Sequence, residues 1–179
     1  MKIVCMIRGG KGGRIPARHG LRFEKRMDLA AAISKVPGYS VRTSKVFFKG
    51  KHVATLYKKH KLYSDLLVPN RINYKTMVSK RLVPDDAMLV QVRNTLFVIE
   101  IKFQTVSGSV DEKLQTCDFK LKQYQKLLAP LSLQVKYVYV LNDWFKQKSY
   151  ADVLAYIKSV KCDYFFNVIP FEYFGLPTP

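Results

Sequence analysis

Val83-Pro84-Asp85-Asp86-Ala87-Met88-Leu89-Val90-Gln91-Val92-Arg93-Asn94-Thr95-Leu96-Phe97-Val98-Ile99-Glu100-Ile101-Lys102 is the stretch on which the fold of this chain turns. Two apolar, β-branched runs flank Arg93-Asn94-Thr95, the pattern of a β-hairpin. In the second run Leu96 to Ile99, then Ile101 and Phe103, are all apolar. That strand is expected in the middle of a sheet with both faces covered. Glu100 and Lys102 lie two apart and project from one face. Charged groups in such a strand are costly unless they pair or hold a metal. The hairpin sets an acid at the start of the first strand, Asp85 or Asp86, beside Glu100 at the end of the second. Strand alternation lets only one of the two aspartates share that face.

Two clustered carboxylates repel unless a cation neutralises them. Hard oxygen ligands and a small dedicated protein share suit Mg²⁺, with Mn²⁺ as a substitute, and the Ile101 carbonyl can complete the set. Such an ion polarises a phosphate and activates a water, while Lys102 orients that water or helps to deprotonate it. Glu-x-Lys by itself is a common tripeptide that also fits a structural ion pair. The Pro-Asp on one strand, the apolar setting of the next and the basic chain around both are what favour chemistry.

Upstream, Ala17 to Lys35 reads as a helix, with Phe23, Met27, Ala30 and Ala31 on one stripe and Pro37-Gly38 as its stop. Glu24 borders that stripe, either in a surface ion pair or pointing into a site between helix and sheet. Tyr39–Phe48 and Val53–Tyr57 read as strands around a Lys49-Gly50-Lys51 turn. The tyrosine-rich stretch that follows interleaves cations and amides (Lys58, Lys59, Lys61, Asn70, Arg71, Asn73 and Lys75), a mixture suited to phosphates and base edges. Residues 1–16 read as a basic N-terminal arm whose Lys11 and Arg14, with Arg18 beyond it, can reach a polyanion. The glycines there do not have P-loop spacing.

Downstream, Ser109 and Glu112 form a capping box that opens a helix carrying Val110, Leu114, Cys117, Leu121, Tyr124 and Leu128 on one stripe until Pro130. Cys117 is therefore read as core, and Lys113, near the helix start, as a phosphate contact. Strands are expected over 135–141 and 164–169, with a helix over 150–160 between them. The order of elements points to one α/β domain over residues 1–179, a mixed sheet flanked by helices. The aromatic tail Phe171–Pro177 fits the core or a dimer contact.

The chain carries 31 Lys and Arg against 13 acids, a net charge of +18. Residues 1–81 hold 20 of those cations and only Glu24, Asp28 and Asp65 in opposition. Such asymmetry points to a polyanionic partner, since each cation laid on a phosphate releases a counterion. Three scattered cysteines and three histidines without zinc spacing argue against a disulfide framework or a structural zinc site. No apolar run is long enough for a membrane span, and no secretory signal is evident, so a cytoplasmic setting is the expectation.

Pro84-Asp85…Glu100-Ile101-Lys102 resembles the motif of the PD-(D/E)XK nuclease superfamily, the fold of many type II restriction enzymes. Gly20-Leu21-Arg22-Phe23-Glu24, Phe103-Gln104 and Gly108–Leu114 are similar to segments of small restriction endonucleases, so the resemblance spans most of residues 17–170. It implies an α-β-β-β-α-β core, Mg²⁺-dependent hydrolysis of double-stranded DNA, and a homodimer cutting a palindromic site. It also implies Asp85, as the Pro-Asp aspartate, and Glu100 as metal ligands, Lys102 as the catalytic lysine, Glu24 as an assisting acid, and Gln104 among the DNA contacts. The alternatives are a homing or repair nuclease of the same fold, and a non-catalytic DNA-binding protein.

Overall fold

The computed structural model describes residues 20–24, 28–106, 108 and 110–179. In chain order the strands are β1 (Gly20–Arg22), β2 (Tyr39–Arg42), β3 (Lys45–Phe48), β4 (Lys51–Leu56), β5 (Asp86–Val90), β6 (Thr95–Lys102), β7 (Gln134–Leu141), β8 (Asp163–Phe166) and β9 (Val168–Pro170). The helices are α1 (Leu29–Ser34), α2 (Tyr74–Met77), α3 (Val110–Leu114), α4 (Cys117–Leu128), α5 (Ala151–Ser159) and α6 (Phe171–Phe174), with a π-helical turn at Leu62–Leu67. Seven strands form one sheet in the order β2-β3-β4-β5-β6-β7-β8, and β1 pairs with β9 in a second, two-stranded sheet. From β2 to β6 neighbours run antiparallel; β6, β7 and β8 run parallel, joined through α3–α4 and then α5. The architecture is α/β, a mixed central sheet flanked by helices.

Local chemistry explains most of these elements. Asn94 takes a left-handed conformation (φ 47°) at the end of the short turn joining β5 to β6, a position that asparagine tolerates. Asp28 caps α1 by accepting the Ala31 N–H at 2.9 Å. Every residue of β6 from Thr95 to Glu100 is buried, as expected for a strand covered on both sides. On one face Leu96 and Val98 join Ala87, Tyr137, Tyr139 and Leu141 beneath α4, α5 and the π-helical turn. On the other, Phe97 and Ile99 join Met88, Val138 and Val140 beneath α1, the β1–β9 pair and α6. No helix among the described residues is long and apolar enough to cross a membrane.

Several expectations change, and the first is the Tyr39–Phe48 strand, which folds back at Thr43–Ser44 into β2 and β3. Among the described residues, the helix expected over Ala17–Lys35 is confined to Leu29–Ser34, because Gly20–Arg22 is drawn into β1 by its pairing with β9. A Cβ at Gly20 would stand 2.7 Å from the Ile169 carbonyl oxygen, so glycine permits that close approach. Ser109, the expected cap, lies outside the described residues, and the helix expected to run on to Leu128 breaks at Gln115–Thr116 into α3 and α4, though Leu114, Cys117, Leu121, Tyr124 and Leu128 keep their buried stripe. The last expected strand divides at Asn167 (φ 59°), which turns β9 out of the large sheet. Of the two readings open for the aromatic tail, the structure bears out the core: Phe171 and Phe174 are fully buried, and Tyr39 Oη donates to the Pro177 carbonyl.

Candidate functional site

Register decides which side chains meet. Asp86 pairs with Ile99 and Ala87 with Val98, so Asp85 comes level with Glu100 and on its face. Lys102 follows on the same face by alternation. The Lys102 Nζ donates to Asp85 Oδ2 at 2.9 Å and to Glu100 Oε2 at 2.8 Å. Asp85 Oδ2 also accepts the Ile101 N–H at 3.1 Å. A strand residue turns its N–H and C=O toward the same edge, so the Ile101 carbonyl leaves on the Asp85 side.

Glu100 is almost fully buried, its side chain only 5% exposed, against 18% for Lys102 and 45% for Asp85. Burial works against the Lys102 charge, but the Glu100 carboxylate and then Asp85 outweigh it, holding the ammonium above the usual lysine range. Around Glu100 stand Tyr124 and Tyr137, whose hydroxyls are pushed up chiefly by burial and further by the Glu100 charge. They are neutral walls of a low-dielectric seat. The outer oxygen, Glu100 Oε1, faces Lys120 Nζ of α4 at 3.7 Å, and that ammonium also stands 5.9 Å from the centre of the Tyr137 ring.

Lys120 is not among the residues that the sequence pattern singles out. Its signal was positional: it sits three residues after Cys117 and four before Tyr124, at the border of the buried stripe.

Other expected residues lie elsewhere. Asp86 points to the opposite face, where its Oδ2 accepts the Leu29 N–H at 3.0 Å. Burial pushes its carboxyl up to about 6. It is not a ligand partner of Glu100, because adjacent strand residues face opposite sides. Glu24 lies past β1, exposed, with its carboxylate on Lys35 Nζ at 3.3 Å, and makes no hydrogen bond or ion pair with the Asp85–Glu100–Lys102 group among the described residues. The helix that was to carry it inward begins only at Leu29. Lys58 binds Asp28 at 2.6 Å beside Asp86, away from the carboxylate face.

Gln104, expected on DNA, is buried: its side-chain N–H donates to the Val106 carbonyl at 2.5 Å, while Asn142 clasps its backbone N–H and C=O. It ties the end of β6 to the end of β7. Asn70 is turned back onto the Leu66 carbonyl. Lys59, Lys61, Arg71, Asn73, Lys75 and Lys113 are exposed. Lys11, Arg14 and Arg18 lie outside the described residues.

The site can do two things chemically. Its two carboxylates and the Ile101 carbonyl form a hard, anionic oxygen set in which a lysine ammonium sits, so the donor chemistry fits a small divalent cation. Among the described residues no group of three His, Cys, Asp or Glu side chains gathers anywhere, so such an ion would rest on two acids, a carbonyl and its own waters. The same seat holds a charged donor ready for an anionic substrate. A cleft of about 460 Å³ lined by Gln115, Asp152, Val153 and Tyr156 includes none of these residues. No family model, no curated protein and no solved structure matches the chain.

Proposed function

We propose that this chain is a Mg²⁺-dependent endonuclease that hydrolyses phosphodiester bonds of double-stranded DNA, with the α-β-β-β-α-β core of PD-(D/E)XK enzymes and the role of a type II restriction enzyme. The observation that carries the reading is Lys102 Nζ held between Asp85 and Glu100 at the ends of a buried strand pair. The sequence of α1, antiparallel β4-β5-β6, α4 and then β7 parallel to β6 is compatible with that core. The surplus of cations in the first half supports a polyanionic substrate.

Asp85, Glu100 and the Ile101 carbonyl would hold the ion. Bound there, Mg²⁺ or Mn²⁺ supplies Lewis acidity and a water of lowered pKa. The chain's own groups do the rest. Lys102 keeps its proton because Glu100 and Asp85 stabilise it, so it donates to a phosphate oxygen and steadies charge developing on phosphorus. Water adds to phosphorus as one P–O ester bond breaks, leaving a phosphate monoester and a hydroxyl end. Lys120 restrains the outer oxygen of Glu100, and Gln104 with Asn142 fixes the strand ends that carry the site. A homodimer with one site for each strand is the arrangement a palindromic target calls for.

The test is incubation of unmethylated phage DNA with Mg²⁺ and wild type, Lys102→Ala or Asp85→Asn. Discrete fragments from wild type alone are expected. A smear from wild type would overturn the restriction role while keeping the nuclease. Tight binding without cutting would replace the enzyme by a non-catalytic DNA-binding protein.

A further inference from the structure

Among the described residues, the antiparallel wing β2-β3-β4 has one covered face and one open face. Tyr39, Val46, Val53, Ala54 and Leu56 are buried in the core shared with α1, β9 and α6. On the other side, the core beneath α4 and the π-helical turn takes no buried residue from β2, β3 or β4. Register shows which side that open face is. Arg42 stands opposite Lys45, Lys45 opposite Thr55, Thr55 opposite Leu89, and Leu89 opposite Leu96. Directly opposed residues share a face, and Leu96 shares its face with Glu100 and Lys102. Arg42 and Lys45 therefore project on the side of the candidate site.

What sets Arg42 and Lys45 apart is that they face each other across the β2–β3 pair. Two cations directly opposite each other in an antiparallel pair repel. Neither has a carboxylate within ion-pair distance among the described residues. Arg42 lies over the Phe47 ring at 5.5 Å, and Phe47 packs on His52 with ring centres 5.5 Å apart. The turn between the two cations is held in place, since the Leu56 N–H donates to the Ser44 carbonyl at 2.7 Å. This is an exposed pair of cations on a held backbone, with no carboxylate against it among the described residues, and a polyanion is what it fits.

Strand spacing places it relative to the site. Lys45 lies two strands across from Asp85 and four residues along, which at about 4.8 Å per strand and 3.3 Å per residue is roughly 16 Å; Arg42 is roughly 20 Å away. At about 3.4 Å of helix axis per base pair, that span is about five to six base pairs.

We infer that the open face of β2-β3-β4, centred on Arg42 and Lys45, is a second contact for the DNA backbone, gripping phosphates about five to six base pairs from the bond at Asp85 and Glu100. The inference rests on the nuclease reading for its substrate, and its test separates the two. Binding to a short DNA duplex of mixed sequence is measured in EDTA across a series of salt concentrations. The proteins are wild type, Arg42→Gln/Lys45→Gln and Lys49→Gln/Lys51→Gln. Lys49 and Lys51 flank the turn at the other end of the same wing, Lys51 is opposite Phe48, and they serve as the equal-charge control.

Loss of two phosphate contacts lowers the slope of log affinity against log salt by about 1.8 and weakens binding roughly 10–60-fold at 0.1 M salt. The expected result is that drop for Arg42→Gln/Lys45→Gln with an unchanged melting temperature, and a slope close to wild type for the control. Equal slopes in all three proteins, or equal drops in both variants, would overturn the contact and leave the nuclease reading standing. Failure of wild type to bind the duplex at any salt would overturn both.

Discussion

Replacing Lys102 with methionine should unmask the cation requirement of the carboxylate pair. The substitution keeps the aliphatic stem and removes the ammonium that lies 2.9 Å from Asp85 and 2.8 Å from Glu100. Glu100 is then left in a nearly closed seat, with only Lys120 facing it at 3.7 Å. Stripping one partner from a buried ion pair costs about 3–5 kcal/mol. Asp85 is nearly half exposed and Lys120 remains, so the lower end, about 3 kcal/mol, is the working figure. For a chain of this size that corresponds to a fall of roughly 6–12 °C in Tm.

The assay is thermal or urea unfolding in EDTA and again in millimolar Mg²⁺. In EDTA Lys102→Met should show the full loss; in Mg²⁺ less than half of it should remain, because the divalent ion takes the vacated seat. The double variant Lys102→Met/Glu100→Gln should recover much of the loss in EDTA, since the buried charge is gone. An equal loss with and without Mg²⁺ would refute the idea that this seat accepts a divalent ion. No loss in EDTA would refute the burial on which the figure rests.

The two adjacent aspartates should separate cleanly in a plasmid-cleavage assay: Asp85→Asn abolishes cutting, whereas Asp86→Asn, on the opposite face and still able to accept the Leu29 N–H, keeps it. Lys120→Met should slow cleavage about tenfold without changing DNA affinity in EDTA, by loosening Glu100. Asp28→Ala should cost about 1 kcal/mol at pH 7 through the lost α1 cap. The Lys58 hydrogen bond, then the Ala31 N–H, lowers the Asp28 carboxyl from its ordinary value of 3.8. Its stabilisation is therefore present above that value and is lost as pH falls through the lowered one, so the wild-type and Asp28→Ala unfolding curves should converge in acid. Phe174→Ala should cost about 3–5 kcal/mol in denaturant melts and leave the sedimentation coefficient unchanged, since the aromatic tail fills the chain's own core.

The sequence carried the parts of the structure that are written in short-range periodicity. The β5–β6 hairpin, the buried stripe of α4, the β7 strand and α5 all follow from patterns whose period is fixed by backbone geometry. For the same reason Glu100 and Lys102 had to share a face. Pairing over long separations was not legible. Gly20–Arg22 became a strand because Val168–Pro170 lay ready beside it, with Leu21 opposite Ile169, 148 residues later, and a local apolar stripe had read as helix. The choice between Asp85 and Asp86 needed the register of β5 against β6, since a one-residue slip exchanges the two faces. Glu24, Lys58 and Gln104 carried the right chemistry but were spent on Lys35, Asp28 and the Val106 carbonyl. Lys120 and the open cationic face of Arg42 and Lys45 emerged only from packing, because exposure depends on what the rest of the chain happens to cover.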